Sequence, residues 1–201
     1  QGMRNQRTPI RSLVTSQGTC IAMDDGMIVW ETKQNRKTLR LHCVATVILG
    51  MQNDDGNVER MFIGDGKGQL HILTVPNLAL EKTVVIGNTA LRAMCSDSEE
   101  SLALLIADAD GKIWRYDGES ETQLLFETKR SISSIRSERN SIRIQSGWEQ
   151  CTFERDGHLQ NSHDASTSFG ENIMLRRLRE RKKFDEQREQ AESQVRLMAG
   201  V

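Results

Sequence analysis

No stretch of this chain stays apolar for long. The longest runs, Leu102 to Ala107 and Val44 to Leu49, fall far short of the about 18–20 residues a membrane-crossing helix needs, so no membrane partner is expected. An excess of either charge is also missing: 27 basic and 28 acidic side chains leave a net charge of -1. That balance removes any global pull toward nucleic acid or anionic lipid, and a charged partner has to be met by a local patch. No basic leader followed by an apolar core precedes the first repeat, which speaks against a secretory signal.

Cysteine and histidine occur without the spacings that signal chemistry. Cys20, Cys43, Cys95 and Cys151 are spread evenly with no C-x-x-C pair, and His42, His71, His158 and His163 never fall at ligand spacing. A structural zinc site is therefore not expected, and a reduced, cytoplasmic protein is the simpler reading. Three of the cysteines sit among apolar residues in segments that read as strands, where a thiol serves as a small hydrophobe. No serine or cysteine lies in a context resembling a nucleophile elbow. Gly64-Asp-Gly-Lys-Gly68 joins two strands and is followed by no Lys-Ser/Thr, so it is a hairpin turn and not a phosphate loop. Asp24, Asp25, Asp65, Asp108 and Asp110 recur at one edge and could collect Ca²⁺, but aspartate bonding its own turn backbone explains them more simply. No catalytic residue, cofactor or metal is expected.

What the chain does contain is a pattern repeated four times: an apolar run, a tight turn, and a second run ending in an aromatic or large aliphatic residue. The copies are Cys20 to Trp30, Met61 to Ile72, Leu105 to Tyr116 and Ile142 to Phe153. Each reads as a β-hairpin, because Asp-Gly and Gly-x-Gly supply the positive φ angles of short turns between β-branched and aromatic flanks. The matching positions Ile21, Ile63, Ile106 and Ile144 are 42, 43 and 38 residues apart, close to the about 40–50 residues of a four-stranded propeller blade. Before each hairpin comes a pair of apolar residues three apart: Ile10 and Leu13, Val44 and Val47, Leu91 and Met94, Ile132 and Ile135. In a blade these would mark the strand before the hairpin. Thr38 to Cys43, Lys82 to Ile86 and Thr122 to Phe126 would form the outer strand after it.

The stretch Ala107-Asp-Ala-Asp-Gly-Lys-Ile-Trp-Arg-Tyr116 is similar to the closing Asp-x-Asp-Gly segment of WD-repeat propellers. The chain resembles that family over residues 8–162, without its Gly-His and Trp-Asp pairs: Glu31 follows Trp30 and Arg115 follows Trp114. The resemblance implies a mainly β fold of four blades. A β-sandwich or an open meander of similarly spaced hairpins competes, and the phased apolar pairs favour the propeller. A row of four blades that did not close would be expected to leave two broad apolar faces in water. The chain would then be either a four-bladed ring or a half-propeller completed by a second copy, and the homodimer is the preferred expectation.

The organisation expected is a four-repeat domain at residues 3–160, a polar linker at 161–170 and a charged helix at 171–199, Ser168 capping its start ahead of Glu171. Gaps at Arg181 and Arg188 in the apolar pattern argue against a long coiled coil. Within the helix lies the one concentrated basic patch, Arg176 to Lys183, where Arg176, Arg177, Arg181 and Lys182 could meet phosphates or an acidic protein surface. Glu180, Asp185, Glu186 and Glu189 stand within helical reach and pair with much of it. Trp148 occupies a turn where the other repeats have Asp-Gly, either as an exposed anchor for a partner or as packing at a closure seam. The function expected is a non-enzymatic interaction scaffold with protein partners, self-association included. The alternative is a nucleic-acid-associated factor using the basic helix.

Overall fold

The computed structural model describes residues 7–53, 55–100 and 102–164. The chain divides into two compact units, 1–162 and 163–201, and the helix expected at 171–199 lies outside the described residues. In the first unit the strands form four antiparallel sheets of four, each running in chain order from first strand to fourth. Blade 1 consists of β1 (Pro9–Val14), β2 (Thr19–Met23), β3 (Met27–Glu31) and β4 (Arg36–Arg40). Blade 2 is β5 (Ala45–Gln52), β6 (Val58–Asp65), β7 (Gln69–Thr74) and β8 (Ala79–Val85). Blade 3 is β9 (Leu91–Ser96), β10 (Leu104–Asp108), β11 (Lys112–Tyr116) and β12 (Thr122–Glu127). Blade 4 is β13 (Ser134–Glu138), β14 (Ser141–Ser146), β15 (Glu149–Glu154) and β16 (Leu159–Asp164). The four hairpins read from sequence are β2–β3, β6–β7, β10–β11 and β14–β15.

Side-chain alternation along the strands builds the array. In β6, Met61 and Ile63 join an apolar cluster with Cys20, Ala22, Ile28 and Trp30 of blade 1, while Phe62 between them turns to Leu91, Leu104, Ile106 and Tyr116 of blade 3. In β10, Leu104 and Ile106 face blade 2, while Leu105 and Ala107 meet Ile135, Ile142, Ile144, Cys151 and Phe153 of blade 4. The period of two thus gives each middle sheet two buried faces. Three clusters hold four blades, one at each consecutive junction, and among the described residues none joins blade 4 to blade 1. The first strands β1, β5, β9 and β13 adjoin in succession.

The expectation of an apolar face at both ends of an open row is corrected at blade 4. Register places Ser134, Gln145 and Gln150 in one cross-strand row, Arg136, Arg143 and Thr152 in the next, and Glu138, Ser141 and Glu154 in a third. This face points away from blade 3 and is polar throughout, so within one chain it can stand in water. In blade 1 the face turned away from blade 2 carries Ile21 paired with Val29, with Val14, Met23 and Met27 in the neighbouring rows.

Two boundaries also differ from the sequence expectation. The stretch read as a linker, 161–170, opens inside β16 (Leu159–Asp164), whose six residues are all exposed. An outer strand with both faces in water carries no apolar signal to read. The outer strand of blade 1 ends at Arg40, so Cys43 falls in the connection to blade 2.

A shared turn orients the hairpins of blades 1, 2 and 3. Gly26, Gly68 and Gly111 close these turns at φ of 82°, 84° and 84°, backbone that favours glycine. Each glycine carbonyl accepts the amide of the connection leading to the next blade: Leu41 to Gly26 at 2.8 Å, Ile86 to Gly68 at 2.9 Å, Thr128 to Gly111 at 2.8 Å. A Cβ on Gly111 would lie 2.3 Å from the Thr128 carbonyl oxygen. Hairpin and connection are locked at one end of every junction. Blade 4 departs here too: its turn is the two-residue Gly147-Trp148, and a Cβ on Gly147 would meet nothing within 4 Å.

Candidate functional site

Because the blades repeat in the same sense, all four second-to-third-strand turns gather at one end of the array, with the inter-blade connections beside them. The aspartates there serve the turns. Asp65 Oδ1 accepts the amides of Lys67 and Gln69 at 2.8 and 2.9 Å, and Asp108 Oδ1 accepts those of Asp110 and Lys112, both at 3.0 Å. Asp25 accepts the Met27 amide and the guanidinium groups of Arg7 and Arg40.

The second oxygen of the buried aspartates reaches six residues ahead. In blade 3 the Trp114 indole N–H donates to Asp108 Oδ2 at 2.9 Å; in blade 2 the same place is taken by His71, whose Nε2 lies 2.9 Å from Asp65 Oδ2. Cys43 Sγ comes within 3.1 Å of that same Nε2, and Thr83 Oγ1 within 3.0 Å of His71 Nδ1. No metal-ligating group was expected from the sequence, where these residues stand far apart; the fold brings Cys43, Asp65 and His71 together, all three ligand atoms lying within 4.8 Å of one another. The signal that could have revealed it is the aligned column in which His71 replaces Trp114.

The trio is not arranged as an activated thiol. A proton relay needs the carboxylate and the nucleophile on opposite ring nitrogens, whereas Asp65 and Cys43 both approach Nε2. Burial, followed by the charge and hydrogen bond of Asp65, pushes the Cys43 thiol up to about 12, so it is protonated at neutral pH. Burial would also raise the Asp65 carboxyl, but the amides of Gln69 and Lys67 and the imidazole of His71 outweigh it and hold the group below its ordinary value. Of the other cysteines, Cys20 and Cys151 are buried in the inter-blade clusters, and burial alone lifts the Cys20 thiol to about 12.

Trp148 stands in the blade 4 turn at this same end with 58% of its surface exposed. Beside it, Arg130 of the connection before blade 4 pairs with Glu149, which also accepts a hydrogen bond from Ser162 Oγ at 2.5 Å. The side chain is presented outward from a turn anchored at Glu149 and at Gly147, whose carbonyl accepts Gln145 Nε2 at 2.9 Å. Arg176, Arg177, Arg181 and Lys182, the other residues expected to contact a partner, lie outside the described residues.

At the opposite end, sequence reasoning missed a charged clasp between blades 3 and 4. Asp97, with no side-chain exposure, accepts Arg155 Nη1 and Nη2 at 2.9 and 2.7 Å, Arg115 Nε at 3.1 Å and Ser137 Oγ at 3.1 Å. Burial would raise this carboxyl, but the Arg155 hydrogen bonds, the Glu99 amide and Arg115 outweigh it and hold the group at about 2. Nothing in the local sequence of Asp97 announces partners 18 and 58 residues away. Between blades 1 and 2 this end opens into a groove of about 570 Å³, lined by Gln17, Asn57, Arg60, Pro76 and Glu81 among others.

Neither a protein-family model nor a curated protein sequence matches the chain. Solved structures do. A chain of a mitotic checkpoint complex aligns with TM-score 0.64 and 13% identity, over 82% of this chain and 55% of that one. BamB from Moraxella catarrhalis aligns at 0.57 and 14%, over 76% and 47%. The Cps50 (Swd1) β-propeller domain of Myceliophteria thermophila aligns at 0.56 and 15%, over 74% and 56%. The fold is a WD-repeat-like β-propeller, and this chain spans about half the length of the propellers it matches.

Proposed function

We propose that the chain is a non-enzymatic protein-interaction scaffold that presents the turn end of its blades, with Trp148 as the anchor. The observation that carries this reading is an exposed indole, the residue type most enriched at binding hot spots, on a turn braced by the Arg130–Glu149 pair. Propeller neighbours that include a chain of a named multiprotein complex support it. With a protein partner in hand, Trp148→Ala should weaken binding by at least about 2 kcal/mol, the range of a hot spot, while leaving the melting temperature in place. Unchanged affinity sinks the anchor.

Within this reading the chain works in the cytoplasm, where its four free thiols suit a reducing medium, and two copies associate into an eight-bladed ring. The Ile21–Val29 pair on the outward face of blade 1 supports the dimer. Ring closure would seat the Arg136–Arg143 row of one copy on the Ile21–Val29 face of the other, and buried guanidinium groups need acids. Glu31 is the one acid among the strand residues of that blade 1 face, so the dimer requires it. Light scattering at micromolar concentration should give twice 22.8 kDa and a monomer for Glu31→Lys; a monomeric parent chain removes the dimer and leaves the scaffold. The nucleic-acid alternative rests on Arg176, Arg177, Arg181 and Lys182, and salt-dependent binding that vanishes when their charges are reversed would favour it.

A further inference from the structure

We infer that Cys43, Asp65 and His71 form a binding site for a divalent transition-metal ion, Zn²⁺ by the character of its donors, that ties the blade 1–2 connection to the hairpin of blade 2. Thiolate, imidazole and carboxylate together are the ligand set of zinc; an all-oxygen site would have pointed to calcium or magnesium.

Three features carry the inference. The first is convergence: Sγ lies 3.1 Å and Oδ2 2.9 Å from His71 Nε2, and all three donor atoms fit within 4.8 Å. Metal–ligand distances of about 2.0–2.3 Å set tetrahedral donor separations of about 3.3–3.7 Å, so the two short gaps need open by only about half an ångström. The second is the outer shell. Asp65 is oriented through its other oxygen by two backbone amides, and His71 through Nδ1 by Thr83 Oγ1. A hydroxyl can donate to Nδ1 or accept from it, so Thr83 supports both the metal-free tautomer and the one with Nε2 free for an ion. The third is access: Cys43 is half-buried and lines an open cleft of about 240 Å³ with Asp24, Asp25, Arg40 and His42, room for the ion to enter and for water as a fourth ligand.

Blade 3 supplies the internal contrast. Its Asp108–Trp114 pair does the same turn-bracing work with an indole N–H, which donates but cannot ligate a metal. Blade 2 has the same aspartate facing two groups that can. On the ion the Cys43 thiol gives up its proton and binds as thiolate, beside a neutral imidazole and a carboxylate.

The test uses the full chain with Co²⁺ and Zn²⁺. Co²⁺ should bind one to one with a thiolate-to-cobalt charge-transfer band, Zn²⁺ should displace it, and Zn²⁺ should raise the melting temperature. Cys43→Ser should lose the band, and Thr83→Val should weaken Zn²⁺ binding by about 10–100-fold. His71→Trp, which copies the blade 3 pair, should keep the strand signal by circular dichroism and lose the ion. No thiolate band in the parent chain overturns the site, as does a band that survives in Cys43→Ser.

Discussion

Blades 1 and 4 end the same row, and their outward faces have opposite chemistry. Three of the four isoleucines that set the repeat point toward the preceding module: Ile63 toward blade 1, Ile106 toward blade 2, Ile144 toward blade 3. Ile21 occupies the same position in blade 1, paired with buried Val29, on the side where no described blade precedes it. The residues facing the following module are Cys20 and Ala22, Phe62 and Gly64, and Leu105 and Ala107; in blade 4 they become Arg143 and Gln145. The turn changes with the face, from a glycine-locked loop to the open Gly147-Trp148. Blade 4 therefore closes this chain's own row with a polar face and blade 1 opens it with an apolar one, a difference carried by two columns of the hairpin.

The contrast between locked and open turns should break hardest at the glycines. Gly111→Ala forces a Cβ onto the Thr128 carbonyl and should cost about 4 kcal/mol in urea denaturation, about 1–2 of it from left-handed backbone. Gly147→Ala bears only the backbone strain and should cost about 1 kcal/mol; equal losses would erase the distinction. Next comes the clasp that holds the capping blade. Arg155→Ala leaves Asp97 buried with Arg115 as its remaining cation and should cost about 3 kcal/mol, with the strand signal retained under native conditions.

Acid should loosen the same clasp. The Asp97 carboxyl is held at about 2, below its unfolded value of about 4, so its contribution is present above pH about 4 and is lost as pH falls through about 2. The loss is on the order of 2 kcal/mol, read from melting temperature against pH, and Asp97→Asn should flatten that part of the curve. The smallest effect belongs to the polar face itself. In the Glu31→Lys monomer, Arg136→Thr should change stability by less than about 0.5 kcal/mol, whereas Ile135→Ala, its buried neighbour in the chain, should cost about 3. A larger penalty at Arg136 in the parent chain is what ring closure predicts, and an equally small effect in both would leave the face in water.

Much of the fold was legible because a hairpin is a local object. Asp-Gly turns between β-branched runs place β2–β3, β6–β7 and β10–β11, and their spacing marks the blades. The polar cap was present in the same alignment, at Arg143 and Gln145, but weighing its two columns requires knowing which parity faces which neighbour. β16 stayed hidden because none of its residues is buried. Trp148 stands exposed on its two-residue turn, at the position where the Asp-Gly column of the other repeats breaks off. Of the Cys43–Asp65–His71 group only the exchange of Trp114 for His71 in the aligned hairpins was legible, since its members belong to a connection, a strand end and the next strand.

Sequence by itself determined the elements and the repeat, since turn geometry and the alternation of side chains act over a few residues. Only the tertiary structure decided which distant groups meet: Asp97 with Arg155, Cys43 with His71, and which face of each blade is inside. Those meetings depend on how one sheet seats on the next, and that geometry is set by the packing of the Ile63, Ile106 and Ile144 columns, far along the chain from the side chains they bring together.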